Sequence, residues 1–122
     1  MTRTRPVVTV VDDSESVRDA VPELLQSSGF EVAAFDSAEA FLASDTIGAT
    51  DCLVLDVGLP GMSGPDLQQE LIRRASRIPI VFITAKADTS LRPTLVAAGA
   101  RACLFKPFSD RELLNAVKAA LE

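Results

Sequence analysis

Short apolar runs alternate with amphipathic segments along the chain. Five runs of four or five residues are rich in Val, Ile, Leu or Phe and too short for helices, so they predict β-strands: residues 7–11, 31–35, 52–55, 80–83 and 102–105. Three of these runs are apolar nearly throughout, which is typical of parallel strands covered on both faces. The pattern therefore favours a buried parallel sheet.

The segments between these runs have apolar residues at helical spacing and carry start and stop signals. Ser14, Ser37 and Ser109 each precede such a segment and are N-cap candidates, because their hydroxyl groups can accept a bond from a free backbone N–H. Gly29 and Gly99 follow two of the segments and are C-cap candidates. These signals predict a helix that begins after each of the three serines and a helix that ends before each of the two glycines.

Prolines mark the start of two further helices. An apolar pattern at Leu67, Leu71 and Ile72 follows Pro65 and predicts the third helix. Pro93 is tolerated only in the first turn of a helix, so the fourth helix is expected to begin at about residue 91 or 92. The fourth helix is therefore predicted to be short or irregular.

Five strand–helix units predict an α/β fold, a doubly wound parallel sheet with helices on both faces. In such sheets the functional site lies at the carboxyl ends of the strands. Asp12, Asp56, Thr84 and Lys106 each follow directly after a predicted strand. We therefore expect these four side chains to meet at one edge of the sheet.

Composition narrows the classes of function. The chain has 122 residues, 48% of them hydrophobic, which is enough for one domain with its own core. Its 12 Lys and Arg residues against 17 Asp and Glu residues give a net charge of −5, which disfavours direct binding of nucleic acid. Histidine is absent, which excludes Ser-His-Asp triads, His-ligated metal sites and a phosphohistidine carrier.

The same features indicate a cytoplasmic domain. No apolar run approaches the ~20 residues of a transmembrane helix, and the first apolar run is too short for a secretory signal. Cys52 and Cys103 lie singly in apolar segments, without the spacing of a metal or redox motif. They predict buried free thiols in a reducing compartment, and we expect no contact with a membrane.

Acidic residues dominate the predicted site. Asp12, Asp13 and Asp56 would converge there, and two like charges ~4 Å apart repel by about 4 kcal/mol at an effective dielectric near 20. A proton or a cation must relieve this repulsion, and oxygen donors without His or Cys favour Mg²⁺ over zinc. The alternative interpretation is that each Asp only caps a turn or a helix.

Four motifs in this order resemble CheY-like response-regulator receiver domains, over about residues 7–121. They are Val10-Val11-Asp12-Asp13, Leu55-Asp56-Val57-Gly58-Leu59-Pro60-Gly61-Met62-Ser63-Gly64, Ile83-Thr84-Ala85 and Phe105-Lys106-Pro107-Phe108. The resemblance implies a flavodoxin-like (βα)5 doubly wound sandwich with a five-stranded parallel sheet in the order 2-1-3-4-5. It also implies an N-terminal extension at residues 1–6 and a receiver domain at residues 7–122.

The resemblance assigns the acidic residues to phosphoryl transfer. It implies that Asp56 is the phosphoacceptor, which attacks a phosphohistidine of a partner and becomes an acyl phosphate. It further implies that Asp13 and Asp56 ligate Mg²⁺, with the backbone carbonyl of Gly58, while Asp12 acts mainly through water. We interpret Gly61 and Gly64, and Gly58 apart from its carbonyl, as ordinary turn glycines.

The resemblance also assigns the residues after the fourth and fifth strands. It implies that Lys106 neutralises phosphoryl charge and that the Thr84 hydroxyl contacts a phosphoryl oxygen once Asp56 is modified. Ala85 leaves room for that group, and the bond before Pro107 is expected to be cis. Receivers usually carry an aromatic residue or His at the position of Cys103, so an altered or weaker output switch is expected.

Partners follow from the same resemblance. A histidine kinase or phosphotransfer protein would donate the phosphoryl group, and the face of the fourth helix, fifth strand and fifth helix would signal to a downstream protein or an appended output domain. The chain would be a stand-alone receiver, which we favour slightly, or the receiver of a transcriptional regulator, and a homodimer linked to phosphorylation is compatible with both.

Two other classes of function remain as alternatives. A pseudo-receiver would bind partners without being phosphorylated, although the intact set of site residues argues against it. An aspartyl phosphatase is disfavoured because Asp56-Val57-Gly58 lacks a second carboxylate to act as acid and base. We therefore expect no enzyme activity beyond assistance to its own phosphotransfer and dephosphorylation.

Overall fold

The structure, a computed structural model, describes residues 5–84 and 92–122. Its strands are β1 (Val7–Val11), β2 (Glu31–Phe35), β3 (Cys52–Asp56), β4 (Ile80–Thr84) and β5 (Ala102–Phe105). Its helices are α1 (Glu15–Ser27), α2 (Ala38–Ala43), α3 (Gly64–Arg73), α4 (Arg92–Ala97) and α5 (Asp110–Ala120). A 3₁₀ turn (Ile47–Ala49), which the sequence pattern did not predict, precedes β3.

The five strands form one parallel sheet in the order β2-β1-β3-β4-β5. This confirms the predicted α/β fold and the strand order that the resemblance implied. β3 and β4 each extend one residue beyond the apolar run, because Asp56 pairs with Ile83 and Thr84 pairs with Phe105. Asp56 and Thr84 therefore occupy the last positions of their strands.

The sheet separates two hydrophobic layers, and β3 contributes to both. Leu53 and Leu55 pack on one side, with apolar residues of α2, α3 and α4. Cys52 and Val54 pack on the other, with apolar residues of α1 and α5. Every residue of β3 is buried, which is the burial expected of a central strand covered on both faces.

Serine side chains cap four helices at their N-termini. Ser14, Ser37 and Ser109 accept bonds from backbone N–H groups of α1, α2 and α5, as predicted. α3 begins at Gly64, earlier than Pro65 suggested, because Ser63 forms a reciprocal capping box with Asp66. α4 spans six residues, in agreement with the short fourth helix that Pro93 predicted.

Three helices end in the same backbone motif, in which two N–H groups bond back to carbonyls of the last turn. Gly29 after α1 and Gly99 after α4 have φ of 96° and 109°, as expected for C-cap glycines. Ala75 occupies the corresponding position after α3 with φ of 58°, although it carries a Cβ. Its N–H bonds to the Ile72 carbonyl, and the Ser76 N–H bonds to the Leu71 carbonyl.

Both cysteines are buried and unpaired, as predicted. Burial raises the pKa of the Cys52 thiol to about 12, so the thiol stays protonated near neutral pH. Among the helices in the described ranges, none has the length and apolar character needed to cross a bilayer.

Candidate functional site

Three carboxylates meet where β1 and β3 end. Asp12 follows β1 and is fully buried, Asp56 is the last residue of β3 and is 5% exposed, and Asp13 is exposed. One oxygen from each of these carboxylates lies within 4.8 Å of the others. The parallel register explains this convergence, because β1 and β3 are adjacent and run in the same direction.

Polar contacts hold Asp12 in place. Its Oδ1 accepts a bond from the Ser14 N–H at 2.8 Å, and its Oδ2 lies 3.0 Å from the Lys106 Nζ. Its backbone carbonyl accepts a bond from the Arg18 Nη1 at 3.0 Å. Both carboxylate oxygens of Asp12 thus have donors, which is how a buried charge is tolerated.

Lys106 connects the two buried carboxylates. Its Nζ lies 3.0 Å from Asp12 Oδ2 and 3.7 Å from Asp56 Oδ1. Lys106 follows β5, and its N–H donates to the Thr84 carbonyl at 2.7 Å, which fixes its backbone beside the end of β4. The Lys106–Pro107 peptide bond is cis. The ammonium group thus reaches Asp56 from the end of β5, which is separated from β3 by β4.

The charge on Asp56 is only partly compensated. Burial is the main cause that raises the pKa of its carboxyl group above the usual value, and the negative charge of Asp12 raises it further. The Lys106 ammonium and the Gly58 N–H, which donates to Oδ1 at 3.4 Å, lower the pKa, but to a smaller extent. The site therefore favours binding of a proton or a cation at Asp56.

The loop after Asp56 is closed by backbone contacts. The Val57 N–H donates to the Ile83 carbonyl at 2.9 Å, and the Gly64 N–H donates to the Val57 carbonyl at 3.1 Å. A Cβ at Gly64 would overlap the Asp56 carbonyl oxygen and lie 3.0 Å from the Val57 Cα. Gly64 is therefore not an ordinary turn glycine as we interpreted it, because it lets the first turn of α3 pack directly on the phosphoacceptor candidate.

Gly61, in the same loop, also occupies a position that disfavours a side chain, which the sequence analysis missed. Its φ is 70°, and a Cβ there would lie 2.6 Å from Glu39 Oε2. The same carboxylate accepts a bond from the Met62 N–H at 2.9 Å, and this bond lowers the pKa of Glu39. The repeated glycines between Asp56 and α3 were the available signal of close backbone packing.

Two of the remaining candidates lie on β4 and β5. Thr84 ends β4 and is half-buried, next to the Lys106 backbone. Cys103 lies in β5, is 7% exposed and belongs to the same hydrophobic layer as Leu95 of α4. Ala85 falls outside the described residues.

The donor set fits a hard divalent cation. Carboxylate oxygens, which Asp12, Asp13 and Asp56 supply within 4.8 Å of one another, are ligands that Mg²⁺ prefers, whereas zinc favours His and Cys. Cys52, the cysteine of the same strand, faces the layer of α1 and α5. The geometry thus combines a cluster of three carboxylates, which has the oxygen donors for a cation, with a lysine beside a partly compensated carboxylate.

The chain is similar in sequence to curated proteins. The chain is 48% identical over 119 residues to Nodulation protein W of Bradyrhizobium diazoefficiens, an alignment that covers 98% of the chain and 52% of that protein. It is 43% identical over 114 residues to the Transcriptional regulatory protein TdiR of Thauera aromatica, covering 93% of the chain and 50% of that protein. The chain thus spans about half the length of these curated relatives.

Solved structures show the same fold. The crystal structure of a response regulator receiver protein from Burkholderia phymatum superposes with a TM-score of 0.82 at 41% identity, over 96% of this chain and 95% of that one. Residues 8–118 match the family described as Response regulator receiver domain. The chain therefore belongs to the receiver domains of response regulators, the proteins that receive signals in two-component systems.

Proposed function

We propose that this receiver domain accepts a phosphoryl group on Asp56 in the presence of Mg²⁺. The observation that carries the proposal is the placement of the Lys106 Nζ, 3.0 Å from Asp12 and 3.7 Å from Asp56, beside three carboxylates whose oxygens lie within 4.8 Å. A cationic side chain and an acidic cluster at one carboxylate are the charges that phosphoryl transfer requires.

Asp13, Asp56 and the Gly58 carbonyl would hold the metal ion, and Asp12 would act mainly through water. When bound, Mg²⁺ supplies positive charge that offsets the negative charge of the transferring phosphoryl group. Asp12 has a second role, because its contact with the Lys106 Nζ at 3.0 Å orients the ammonium toward Asp56. Asp12 is fully buried, so water reaches this contact only from the side of Lys106, whose side chain is 21% exposed.

The transfer step uses the Asp56 carboxylate as the nucleophile. One of its oxygens attacks the phosphorus of a phosphohistidine on a histidine kinase or phosphotransfer protein. An O–P bond forms as the P–N bond breaks, and the imidazole leaves with the electron pair. Lys106 would neutralise charge on the phosphoryl oxygens, the Thr84 hydroxyl would donate to one of them, and Ala85 would leave space beside it.

The phosphorylated domain would signal through the face formed by α4, β5 and α5. TdiR is named a transcriptional regulatory protein, and its length is about twice the aligned part. We therefore propose a downstream output protein or an appended output domain as the partner, and a phosphorylation-linked homodimer as a further one. The domain would extend over residues 7–122, with an extension at residues 1–6, and it would act in the cytoplasm.

Intact mass measurement tests the acceptor. The wild-type protein, incubated with Mg²⁺ and a small phosphodonor such as acetyl phosphate, is expected to gain about 80 Da. Asp56→Asn is expected to gain nothing, whereas Asp19→Asn, which changes an exposed carboxylate of α1, is expected to react like the wild type. Equal labelling of wild type and Asp56→Asn would contradict the assignment, and no adduct on the wild type would favour a pseudo-receiver.

A further inference from the structure

Gln68 is a buried polar residue that connects two helices. It lies on α3, is 3% exposed, and its Nε2 donates to the Leu95 carbonyl of α4 at 3.1 Å. A buried amide is costly unless it is hydrogen-bonded, and an apolar residue would fill this position without that cost. The contact joins residues 27 positions apart in sequence, so it specifies how α4 sits against α3.

Within residues 92–97, α4 buries one side chain. It spans six residues, a length at which a helix is not stable alone, and Leu95 is its buried residue. Val96 beside it is 48% exposed. Leu95 therefore provides both the apolar contact of α4 with the core and the acceptor for Gln68. The same carbonyl accepts a bond from the Ala100 N–H at 3.0 Å, which closes the C-terminal end of α4.

The other end of α3 rests on the phosphoacceptor. Gly64, four residues before Gln68 and thus on the same face of the helix, packs against the backbone of Asp56 and Val57 so closely that no side chain fits. α3 thus contacts the Asp56 backbone at its first residue and holds α4 one turn later. The helix between these contacts is a rigid hydrogen-bonded element.

We propose that Gln68 is a positioning residue that holds α4 against α3 and couples the position of α4 to the backbone at Asp56. The effect of phosphorylation on this coupling rests on the function proposed above. A shift of the Asp56 backbone moves the first turn of α3, and the Gln68 hydrogen bond passes that movement to Leu95. The route uses α3 and does not require an aromatic side chain at Cys103.

Gln68→Met tests the proposal, because methionine has a similar length and no N–H donor. Gln69→Met is the matched control, since Gln69 is the exposed neighbour on the same helix. Amide hydrogen exchange is measured at Ala98, Gly99 and Ala100, whose N–H groups bond to carbonyls of α4. Each protein is measured in Mg²⁺ with and without acetyl phosphate, and its rate of phosphorylation is followed by intact mass.

We expect exchange at these three amides to rise about tenfold in Gln68→Met and to stay within about twofold of wild type in Gln69→Met. Phosphorylation of Asp56 should proceed at the wild-type rate in both. The change in exchange that phosphorylation causes at these amides in the wild type should be absent in Gln68→Met. If Gln68 had only a structural role, its substitution would not abolish the response of α4 to phosphorylation while leaving the rate of phosphorylation unchanged.

Three results would overturn the proposal: wild-type exchange at α4 in Gln68→Met, an equal rise at β3 and α4, or a full response to phosphorylation in that variant. Gln68→Leu replaces Gln68→Met if the latter does not fold. If the wild type takes up no phosphoryl group, the function proposed above fails. The comparison without phosphodonor then still decides whether Gln68 holds α4.

Discussion

The negative charge on Asp56 should destabilise the metal-free protein, and Asp56→Asn should therefore stabilise it. At an effective dielectric of about 20, Asp12 within 4.8 Å contributes a repulsion of at least about 3.5 kcal/mol. Lys106 lies closer to Asp12, at 3.0 Å, than to Asp56, at 3.7 Å, and offsets this repulsion only in part. The exposed Asp13 adds about 1 kcal/mol of repulsion. The remaining repulsion adds to the cost of burying the carboxylate, and we expect Asp56→Asn to gain about 1–2 kcal/mol.

The pH dependence has the corresponding sign. Because the pKa of Asp56 is raised in the folded protein, the metal-free fold is favoured below the usual value of 3.8 and loses stability as the pH rises through the raised pKa. Asp56→Asn cannot ionise and should not show this loss. The difference between the two proteins should therefore grow with pH and level off near neutrality.

Urea denaturation at pH 7, in EDTA and in Mg²⁺, measures both effects. Mg²⁺ should stabilise the wild type in proportion to the logarithm of its concentration above the dissociation constant, and should have little effect on Asp56→Asn. Asp19→Asn controls for the loss of one negative charge. If Asp56→Asn is less stable than wild type in EDTA, or gains as much from Mg²⁺, the charge balance described for this site is wrong.

Three further predictions concern the site and the helix ends. Lys106→Met removes a cation next to the carboxylates, so it should destabilise the metal-free protein by about 1–2 kcal/mol and tighten Mg²⁺ binding about tenfold. Calorimetry measures the binding, and an unchanged affinity for Mg²⁺ would refute this prediction. Gly64→Ala should lower the free energy of unfolding by about 2 kcal/mol or more, because its Cβ would overlap the Asp56 backbone. Gly58→Ala, whose Cβ would meet open space, should lower it by less than about 1 kcal/mol. Similar losses in the two variants would show that the backbone at Asp56 can shift to admit a Cβ. Ala75→Gly should stabilise the protein by about 0.5–1 kcal/mol and Gly29→Ala should destabilise it by about 1 kcal/mol, because both positions have positive φ. If urea denaturation shows stability changes of the same sign for both variants, positive φ is not the cause.

The strands and the position of the site could be predicted because both follow from local patterns. Short apolar runs indicate strands, and a wholly apolar run such as that of β3 is buried throughout. Parallel topology then brings residues such as Asp12, Asp56 and Lys106 to one edge. The helix starts were also readable, since Ser14 and Ser109 act on N–H groups only three residues away.

Other features could not be predicted, because their causes are not local. Gln68 appears as one polar residue in a helical segment, and its partner Leu95 is 27 residues away. The contact of Gly64 with the Asp56 backbone depends on how α3 packs, and Ala75 adopts a positive φ without the glycine that usually signals it. In each case the packing of two elements decides the conformation.

The burial of β3 on both faces has a consequence for the genetics of this domain. Asp56 ends the strand that both hydrophobic layers share, so substitutions within β3 should remove the protein from the cell together with the proposed phosphoacceptor. α4 lies at the margin of one layer and is held through Leu95. Viable alleles that uncouple input from output should therefore cluster at α4 and its contacts, and null alleles should cluster at β3.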